Sequence, residues 1–323
     1  MAGSKNLKNR IKSTKNIKQV TKAMEAVSAV KMRRSQQFAL RARPYALAAL
    51  EILRGVEPAI NGDLSELSPL LSKRPVANSC LVIITSDKGL AGSFNTSVIR
   101  KAEKMVKDLY VMPAHAGQAG SDKNVSLVAI GKKGRDYFKR RGANIVAEYV
   151  DTGDFGEIEE TRHISDFLIK IFTEKQVDEI VLVYTNFLSA LKQEVVTRSL
   201  LPFDEKSLTE IVDSVIPLRG RYANMPHILG NMKTPTARNF LFEPSPKEVL
   251  SELLPDLLAV EIFHAILEAN ASEHSSRMVA MKSASENASE LINDLNIKYN
   301  KARQALITKE LAEITGGAAA LEE

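Results

Sequence analysis

The stretch MVAMKSASENASELINDLNIKYNKARQAL, residues 278–306, places small or apolar side chains at alternating intervals of three and four. These positions are Met278, Met281, Ser285, Ala288, Ile292, Leu295, Tyr299, Ala302 and Leu306. The same spacing extends upstream to Leu253, and thirteen of the sixteen positions are then apolar. A seven-residue repeat held over this length predicts a left-handed coiled coil. From Asp256 to Thr315 the predicted helix is about 90 Å long.

Two histidines, His264 and His274, fall on this repeat. Histidine pairs that bind zinc from one helix are usually three or four residues apart, whereas these are ten apart. We call the line of side chains at the repeat positions the seam of the helix. We therefore interpret both histidines as seam residues with one ring nitrogen near a polar partner, and predict no metal site.

The N-terminal segment also reads as a long helix, because residues 4–43 contain neither glycine nor proline. On a helical projection one side is basic, formed by Lys5, Lys8, Lys12, Lys15 and Lys22. The opposite side is apolar, formed by Ile17, Val20, Met24 and Val27. Leu7 and Ile11 fall outside this apolar seam, which suggests a different neighbour there. We expect Pro44 to bend or interrupt the helix.

Charge is unevenly distributed along the chain. Residues 1–43 contain twelve basic side chains against one acid, whereas residues 251–323 contain six basic and twelve acidic ones. Such segregation predicts a polarised surface. A solvated basic helix, nucleic acid, membrane headgroups and an acidic protein partner all remain open as its explanation. A single cysteine, Cys80, excludes an internal disulfide, and together with the lack of a long apolar stretch it favours a soluble protein in a reducing compartment.

The middle of the chain alternates short apolar runs with helical patterns. Predicted strands are Cys80–Thr85, Val125–Ile130, Ala143–Val150, Glu179–Thr185 and a possible fifth at Asn239–Pro244; predicted helices are Thr96–Tyr110, Lys133–Arg140 and Glu157–Phe172. This alternation predicts a Rossmann-like α/β domain with a mostly parallel sheet. We divide the chain into an N-terminal coiled-coil helix at 1–75, an α/β domain at 76–244 and a C-terminal coiled-coil helix at 245–323. The two terminal helices are expected to form a long antiparallel coiled coil.

Polar stretches near 113–124 and 204–237 interrupt the α/β pattern. We interpret both as surface insertions, the second with a short helix around LTEIVDSVI, residues 208–216.

The best candidate for a catalytic loop is TSDKGLAGSFN, residues 85–95, between a predicted strand and a predicted helix. Such loops can hold phosphate, but this one has neither the G-x-x-x-x-G-K-[ST] nor the G-x-G-x-x-G pattern. The loop IGKKGRDYF at 130–138 is equally unspecific. We interpret their glycines as turn residues, and predict no catalytic, cofactor-binding or metal site. A mechanical or interaction protein, a nucleotide-binding enzyme and a nucleic-acid binder remain as alternatives.

Four segments of the sequence match a known family. They are residues 11–36, IKSTKNIKQVTKAMEAVSAVKMRRSQ; residues 86–95, SDKGLAGSFN; residues 272–288, SEHSSRMVAMKSASENA; and residues 299–320, YNKARQALITKELAEITGGAAA. The last contains I-T-x-E-x-x-E-x-x-x-G-A, a specific signature, at residues 307–318. The chain resembles the gamma subunit of F-type ATP synthases, and bacterial members in particular.

This resemblance implies a rotor of the central stalk in a proton-translocating ATP synthase, with no active site and no cofactor of its own. The implied partners are the alpha and beta subunits, the epsilon subunit and the ring of c subunits, with no nucleic acid. An acidic loop of the beta subunits would contact the basic shaft. Membrane association would be indirect, through the c ring, on the cytoplasmic side of a bacterial inner membrane or the matrix side of an organellar one.

The resemblance also implies which residues touch these partners. They are Met24, Lys31, Arg33, Arg34, Arg277, Met281, Arg303, Gln304, Thr308 and Glu310. Gly316 to Ala320 would form a slim tip inside the surrounding subunits. The cysteine pair of chloroplast members has no counterpart, because Cys80 is alone, so thiol regulation is not expected.

Overall fold

The computed structural model describes residues 2–56, 68–109, 124–151, 157–203 and 242–319. It divides into two compact units. The helical unit comprises Met1–Ala29 and Arg277–Glu323, and the sheet unit comprises Val30–Ser276. The predicted insertions lie outside the described residues except for Asn124, and so do residues 208–216 and most of Asn239–Pro244.

A long helix at each end of the chain contributes to both units. Helix α1 spans Ala2–Val56 and helix α5 spans Pro246–Ala319. The predicted interruption at Pro44 is wrong, because α1 continues through this position. Strong helix formers on both sides of the proline offset the loss of one backbone donor. Helix α5 starts at Pro246, where the Ser245 hydroxyl accepts a hydrogen bond from the Glu248 amide at 3.3 Å.

The sheet unit is built on five strands in the order β3-β2-β1-β4-β5. The elements along the chain are β1 Asn78–Ile84, α2 Phe94–Leu109, β2 Asn124–Ile130, α3 Lys132–Lys139, β3 Ile145–Tyr149, α4 Ile158–Thr173, β4 Glu179–Phe187 and β5 Gln193–Leu201. Strands β1 to β4 are parallel, and β5 runs antiparallel to β4 through a hairpin. The sequence analysis missed β5, although the β-branched run Val195, Val196 and Thr197 was a signal for it.

Helices cover both faces of this sheet. On one face α2 and α3 pack over Leu81, Ile83 and Leu127 through Val98, Ala102 and Phe138. On the other face α4 and the first half of α5 pack over Val82, Val128 and Leu182 through Leu168, Phe172 and Leu258. Strands β1, β2 and β4 lie inside the sheet and read as continuous apolar runs, which explains why they were predicted. The edge strand β3 was also predicted, although its residues alternate between half-buried and exposed. The predicted fold class, a mostly parallel α/β sheet with long terminal helices, is confirmed.

In the helical unit the predicted seam on α5 is confirmed. Its fully buried members are Met281, Ser285, Ala288, Ile292 and Leu295, and its half-buried members are Met278, Tyr299, Ala302 and Leu306. Burial of one stripe on a helix requires a packing partner, and residues 1–29 of α1 belong to the same unit. The antiparallel direction of the two helices stays a prediction.

The predicted seam on α1 is wrong. Ile17, Val20 and Val27 are 54–58% exposed, whereas Ile11, Thr14 and Ser28 are buried and Leu7, Thr21 and Met24 are half-buried. The buried positions follow a spacing of four and three from Leu7, so the residues that we placed outside the seam begin it. The prediction failed because it counted only apolar residues.

Short hydroxyl side chains can replace aliphatic ones in this seam because their hydrogen bonds stay within the helix. The buried Thr14 hydroxyl donates to the Arg10 carbonyl at 2.9 Å. A buried hydroxyl that is satisfied in this way avoids the desolvation cost of an unpaired polar group. Small side chains also allow two helices to approach closely.

Candidate functional site

The loop after β1, residues 85–95, is the first candidate site. It lies at the carboxyl end of the central strand, where open parallel α/β sheets usually bind ligands. Whether this loop can hold phosphate depends on the backbone amides around it, since these are the groups that bind an anion at the start of a helix.

Oxygen atoms of this loop and of the end of β1 bind amides at the start of α3, the neighbouring strand-to-helix connection. The Asp87 carboxylate accepts hydrogen bonds from the amides of Lys132 and Asp151, both at 2.9 Å. The Lys133 amide donates to the Ser86 carbonyl at 3.1 Å. At the next position the Gly134 amide donates to the Thr85 hydroxyl at 2.9 Å. The start of α3 is therefore bound to the loop after β1.

The glycines of α3 serve close packing. Gly131 has φ +95°, and a Cβ there would lie 2.0 Å from the Thr85 carbonyl oxygen. A Cβ at Gly134 would lie 2.9 Å from the Ile83 side chain. Gly131 is confirmed as a turn residue, whereas the interpretation of Gly134 as a turn residue is wrong, because it lies within α3 and serves close packing there.

Cys80 is the one thiol of the chain, and it lies fully buried in β1. Burial raises its pKa from 9.0 to about 12, outweighing the opposite effect of a hydrogen bond with Ser126. Because the thiolate is the reactive form, this cysteine is unsuited to act as a nucleophile near neutral pH.

Seven of the ten predicted partner-contact residues belong to the helical unit. Arg277 and Met281 are buried, at 7% and 5% exposure, and Met24 is half-buried. Arg303, Gln304 and Thr308 are exposed. The side chain of Glu310 lies outside the described residues.

The Thr308 hydroxyl donates to the Gln304 carbonyl at 3.0 Å, so the two residues form one local patch on α5. The oxygen of this hydroxyl still has lone pairs for a donor from outside.

The remaining three predicted residues belong to the sheet unit. Arg33 and Arg34 are exposed on α1, and Lys31 is half-buried there. Met32, on the same turn, is buried. This part of α1 therefore has one side that packs against the protein and one side that is charged.

The sequence analysis missed a set of exposed apolar side chains in the helical unit. On α1 it comprises Ile17, Val20 and Val27, and on α5 it comprises Leu291, Ile297, Ile307, Leu311 and Ile314. The signal that could have found them is their position off the seven-residue repeat. Soluble proteins seldom expose many large apolar side chains without a partner for them.

Two further possibilities were tested on the described residues. None of the described helices combines the length and hydropathy needed to cross a bilayer. Within the same residues no group of histidine, cysteine and acidic side chains could hold a metal ion. His264 is buried with its Nδ1 3.7 Å from the Glu268 carboxylate, and His274 is also buried.

Comparisons with known proteins identify the family of this chain. A family model described as ATP synthase matches residues 3–321. The chain is 40% identical to an ATP synthase gamma chain of Desulforamulus reducens, with 100% of both chains covered. It is 38% identical to one of Nostoc punctiforme, covering 99% of this chain and 100% of the relative.

Solved structures share the fold at lower identity. One is the central stalk and c-ring of the Tetrahymena thermophila mitochondrial ATP synthase, with a TM-score of 0.56, 23% identity, and coverage of 82% of this chain and 99% of the other. Another belongs to the Euglena gracilis mitochondrial ATP synthase, with a TM-score of 0.61, 17% identity, and coverage of 99% and 95%. With the family model matching nearly the whole length, the chain belongs to the gamma chain family of ATP synthase.

Proposed function

We propose that this chain is the central-stalk rotor of a proton-translocating F-type ATP synthase and has no catalytic site of its own. It would couple rotation of a membrane-embedded ring of c subunits to conformational changes in the catalytic beta subunits. The observation that carries this proposal is the full-length match to gamma chains, on a fold whose solved examples include a central stalk with its c-ring.

The helical unit supports a mechanical role. Its seam is narrow, and large apolar side chains such as Ile297 and Ile314, both 68% exposed, point away from it. A shaft whose faces differ can favour a different state of each surrounding subunit as it turns. Such coupling needs only differential binding to alternative conformations, and no reaction on the shaft itself.

The partners follow from this role. The alpha and beta subunits would surround the helical unit, and Arg303, Gln304, Thr308 and Glu310 would contact them near the far end of α5. Met24, Lys31, Arg33, Arg34, Arg277 and Met281 would lie near the acidic loop of the beta subunits. The epsilon subunit and the c ring would bind the α/β domain. We retain 1–75, 76–244 and 245–323 as the functional division of the chain.

Attachment to the membrane would be peripheral, through the c ring. By similarity to bacterial gamma chains, we place the chain on the cytoplasmic side of an inner membrane. The matrix side of an organellar inner membrane is the alternative.

A matched pair of threonines on α5 tests the contact near the far end. Thr308 and Thr315 are both exposed, and each hydroxyl donates to the carbonyl four residues earlier, at 3.0 and 2.9 Å. Thr308→Val should lower the ATPase rate of an assembled complex with alpha and beta subunits by about tenfold, because it removes one specific hydrogen bond. Thr315→Val should have little effect.

Gln304→Leu should resemble Thr308→Val, whereas deletion of residues 316–323 should matter less, because glycine and alanine at 316–320 have no side-chain hydrogen-bonding group. If the deletion abolishes activity while Gln304→Leu and Thr308→Val are silent, the assignment of these residues is wrong.

Calorimetry with the isolated chain separates the rotor from an enzyme. We expect no saturable heat with magnesium and ATP, because Asp87 and its neighbours already bind the amides at the start of α3. Micromolar binding that Lys133→Gln weakens would instead favour a nucleotide-binding site in the sheet unit.

A further inference from the structure

The outer surface of α2 and α3 is strongly basic. Helix α2 and residues 132–141, which include α3, carry ten basic side chains against three acidic ones. Both helices cover the same face of the sheet, and they are joined where the Tyr137 hydroxyl donates to the Glu103 carboxylate at 3.1 Å. Their charges therefore act on one side of the sheet unit.

Part of this charge is compensated locally. Lys107 pairs with Glu103 at 3.0 Å, Arg135 with Asp136 at 2.8 Å and Lys132 with Asp151 at 2.8 Å. Four others, Arg100, Lys101, Lys133 and Lys139, are exposed and form no ion pair with any residue that the structure describes. We call these four residues the basic face.

The opposite side of the sheet differs. Helix α4 carries Glu159, Glu160 and Asp166 against Arg162 and Lys170, so its charges nearly cancel. The excess positive charge on α2 and α3 is therefore not shared by α4 on the other face of the sheet. A concentration of like charge on one surface produces a local potential that attracts anionic partners.

The side chains around the basic face indicate what kind of partner fits. No large apolar side chain is exposed on the described part of α2 or on α3. Phe138 is buried, and the Arg141 guanidinium covers the Tyr137 ring at 3.7 Å from its centroid. Specific protein interfaces depend on apolar and aromatic anchors and are depleted in lysine. A diffuse anionic surface needs neither anchors nor fixed geometry, and lysines suit it as flexible point charges.

We propose that Arg100, Lys101, Lys133 and Lys139 form an electrostatic docking surface for the anionic headgroups of a lipid bilayer. This inference goes beyond the rotor function and does not depend on it. Contacts of this kind are weak, non-directional and screened by salt. They would hold the sheet unit near a membrane without fixing its orientation around the membrane normal.

The test is partitioning of the full chain onto vesicles. The probe is a set of phosphatidylcholine vesicles with about 30% phosphatidylglycerol, compared with pure phosphatidylcholine, at about 50 mM salt. Wild type should sediment with the anionic vesicles only. The variant Arg100→Gln, Lys101→Gln, Lys133→Gln, Lys139→Gln should lower the partition coefficient at least about tenfold, since each charge near an anionic surface contributes up to about fivefold.

The matched control removes the same amount of charge from α1, where Lys5, Lys8, Lys12 and Lys15 are also exposed. Its partition coefficient should fall by less than about threefold. An equal fall in both variants would show dependence on net charge alone and would overturn the proposal, as would a wild type that ignores the anionic vesicles.

Two additional measurements keep the result interpretable. The double variant Lys101→Gln, Lys139→Gln should give a partition coefficient between those of wild type and the quadruple variant. It keeps the proposal testable if the quadruple variant does not fold. Polyglutamate, added at the same concentration of negative charge as the lipid, should displace little protein from the vesicles. Complete displacement would favour an acidic protein as the partner and would refute the choice of lipid.

Discussion

The two units of this chain are stabilised by different kinds of side chain. The sheet unit buries large ones completely, among them Tyr184, Phe138, Phe172 and Phe203. The helical unit buries a mixture, in which aliphatic side chains such as Ile292 and Leu295 alternate with hydroxyl-bearing ones such as Thr14, Ser28 and Ser285, while several of its large apolar side chains are exposed. Burial of apolar area is the main source of folding stability. We therefore expect the sheet unit to be the more stable of the two.

The largest expected effect comes from the core of the sheet unit. Phe172 is 1% exposed and packs under the Arg74 guanidinium, which lies 4.4 Å from its ring centroid. Phe172→Ala should lower the free energy of unfolding by about 3–5 kcal/mol, measured by urea denaturation. Leu191→Ala, at a position 86% exposed, is the control and should change it by less than about 0.5 kcal/mol. Similar losses in both variants would contradict the assigned core.

A smaller effect is expected in the helical unit. Leu295 is 3% exposed on the seam, and Ile297 is 68% exposed beside it. Leu295→Ala should cost about 2 kcal/mol, at the low end for buried leucine, because a two-helix seam removes less area from water than a core. Circular dichroism during urea unfolding should detect this loss as an earlier helical transition. Ile297→Ala should leave that transition unchanged in the isolated chain but weaken assembly with the surrounding subunits.

High pH should destabilise the sheet unit through Cys80. Its pKa is raised by burial from 9.0 to about 12, so the folded state keeps the proton that the unfolded state loses. This contribution is fully present below pH 9 and is lost as the pH rises toward 12, by about 1.4 kcal/mol per pH unit.

Urea unfolding curves of wild type and Cys80→Ala should be recorded between pH 9 and 12. Lysines and tyrosines titrate in both proteins, so the difference between their free energies of unfolding measures the contribution of the thiol. Parallel pH dependences in the two proteins would show that the thiol makes no contribution.

The smallest effect should come from the hydroxyls of the seam. Thr14→Val keeps the shape of the side chain and removes a hydroxyl that bonds only to the Arg10 carbonyl of its own helix. The change in the helical transition should stay within about 1 kcal/mol. A loss comparable to that of Leu295→Ala would mean that this hydroxyl also bonds across the seam. Thr21→Val, whose hydroxyl donates to the Lys18 carbonyl at 3.0 Å, is the control.

Periodicity predicted the parts of the fold in which apolar residues dominate. The α5 seam from Met278 to Leu306 and the strands around Val82 and Val128 were placed correctly. The part of the repeat from Leu253 to Ser276 was wrongly predicted as a coiled-coil seam, because it packs on the sheet and is buried on nearly all sides. The seam of α1 was misplaced because threonine and serine occupy it, and hydropathy does not distinguish a buried hydroxyl bonded to its own helix from an exposed one. Strand β5 was missed because most of its residues are polar and only Leu200 and Leu201 are buried.

The candidate loop shows a different limit. The sequence TSDKGLAGSFN offered glycines and a strand-to-helix position, but the Asp87 side chain within it bonds to residues 45 and 64 positions away. No local pattern predicts that the Asp87 carboxylate binds the amides of both Lys132 and Asp151. The partner-contact residues depend entirely on the family signature, since exposure alone does not distinguish Thr308 from Thr315.

The Asp87 carboxylate can also be viewed as a ligand that the protein carries permanently. It is tethered next to the amides that it binds, so its effective concentration there is that of an intramolecular competitor. Free phosphate or nucleotide would have to displace this competitor from two amides at once. In a complex that makes ATP, we expect such self-occupancy to insulate the sheet unit from changes in nucleotide concentration. The subunit would then respond to force and to its neighbours, and not to the metabolite that the complex handles.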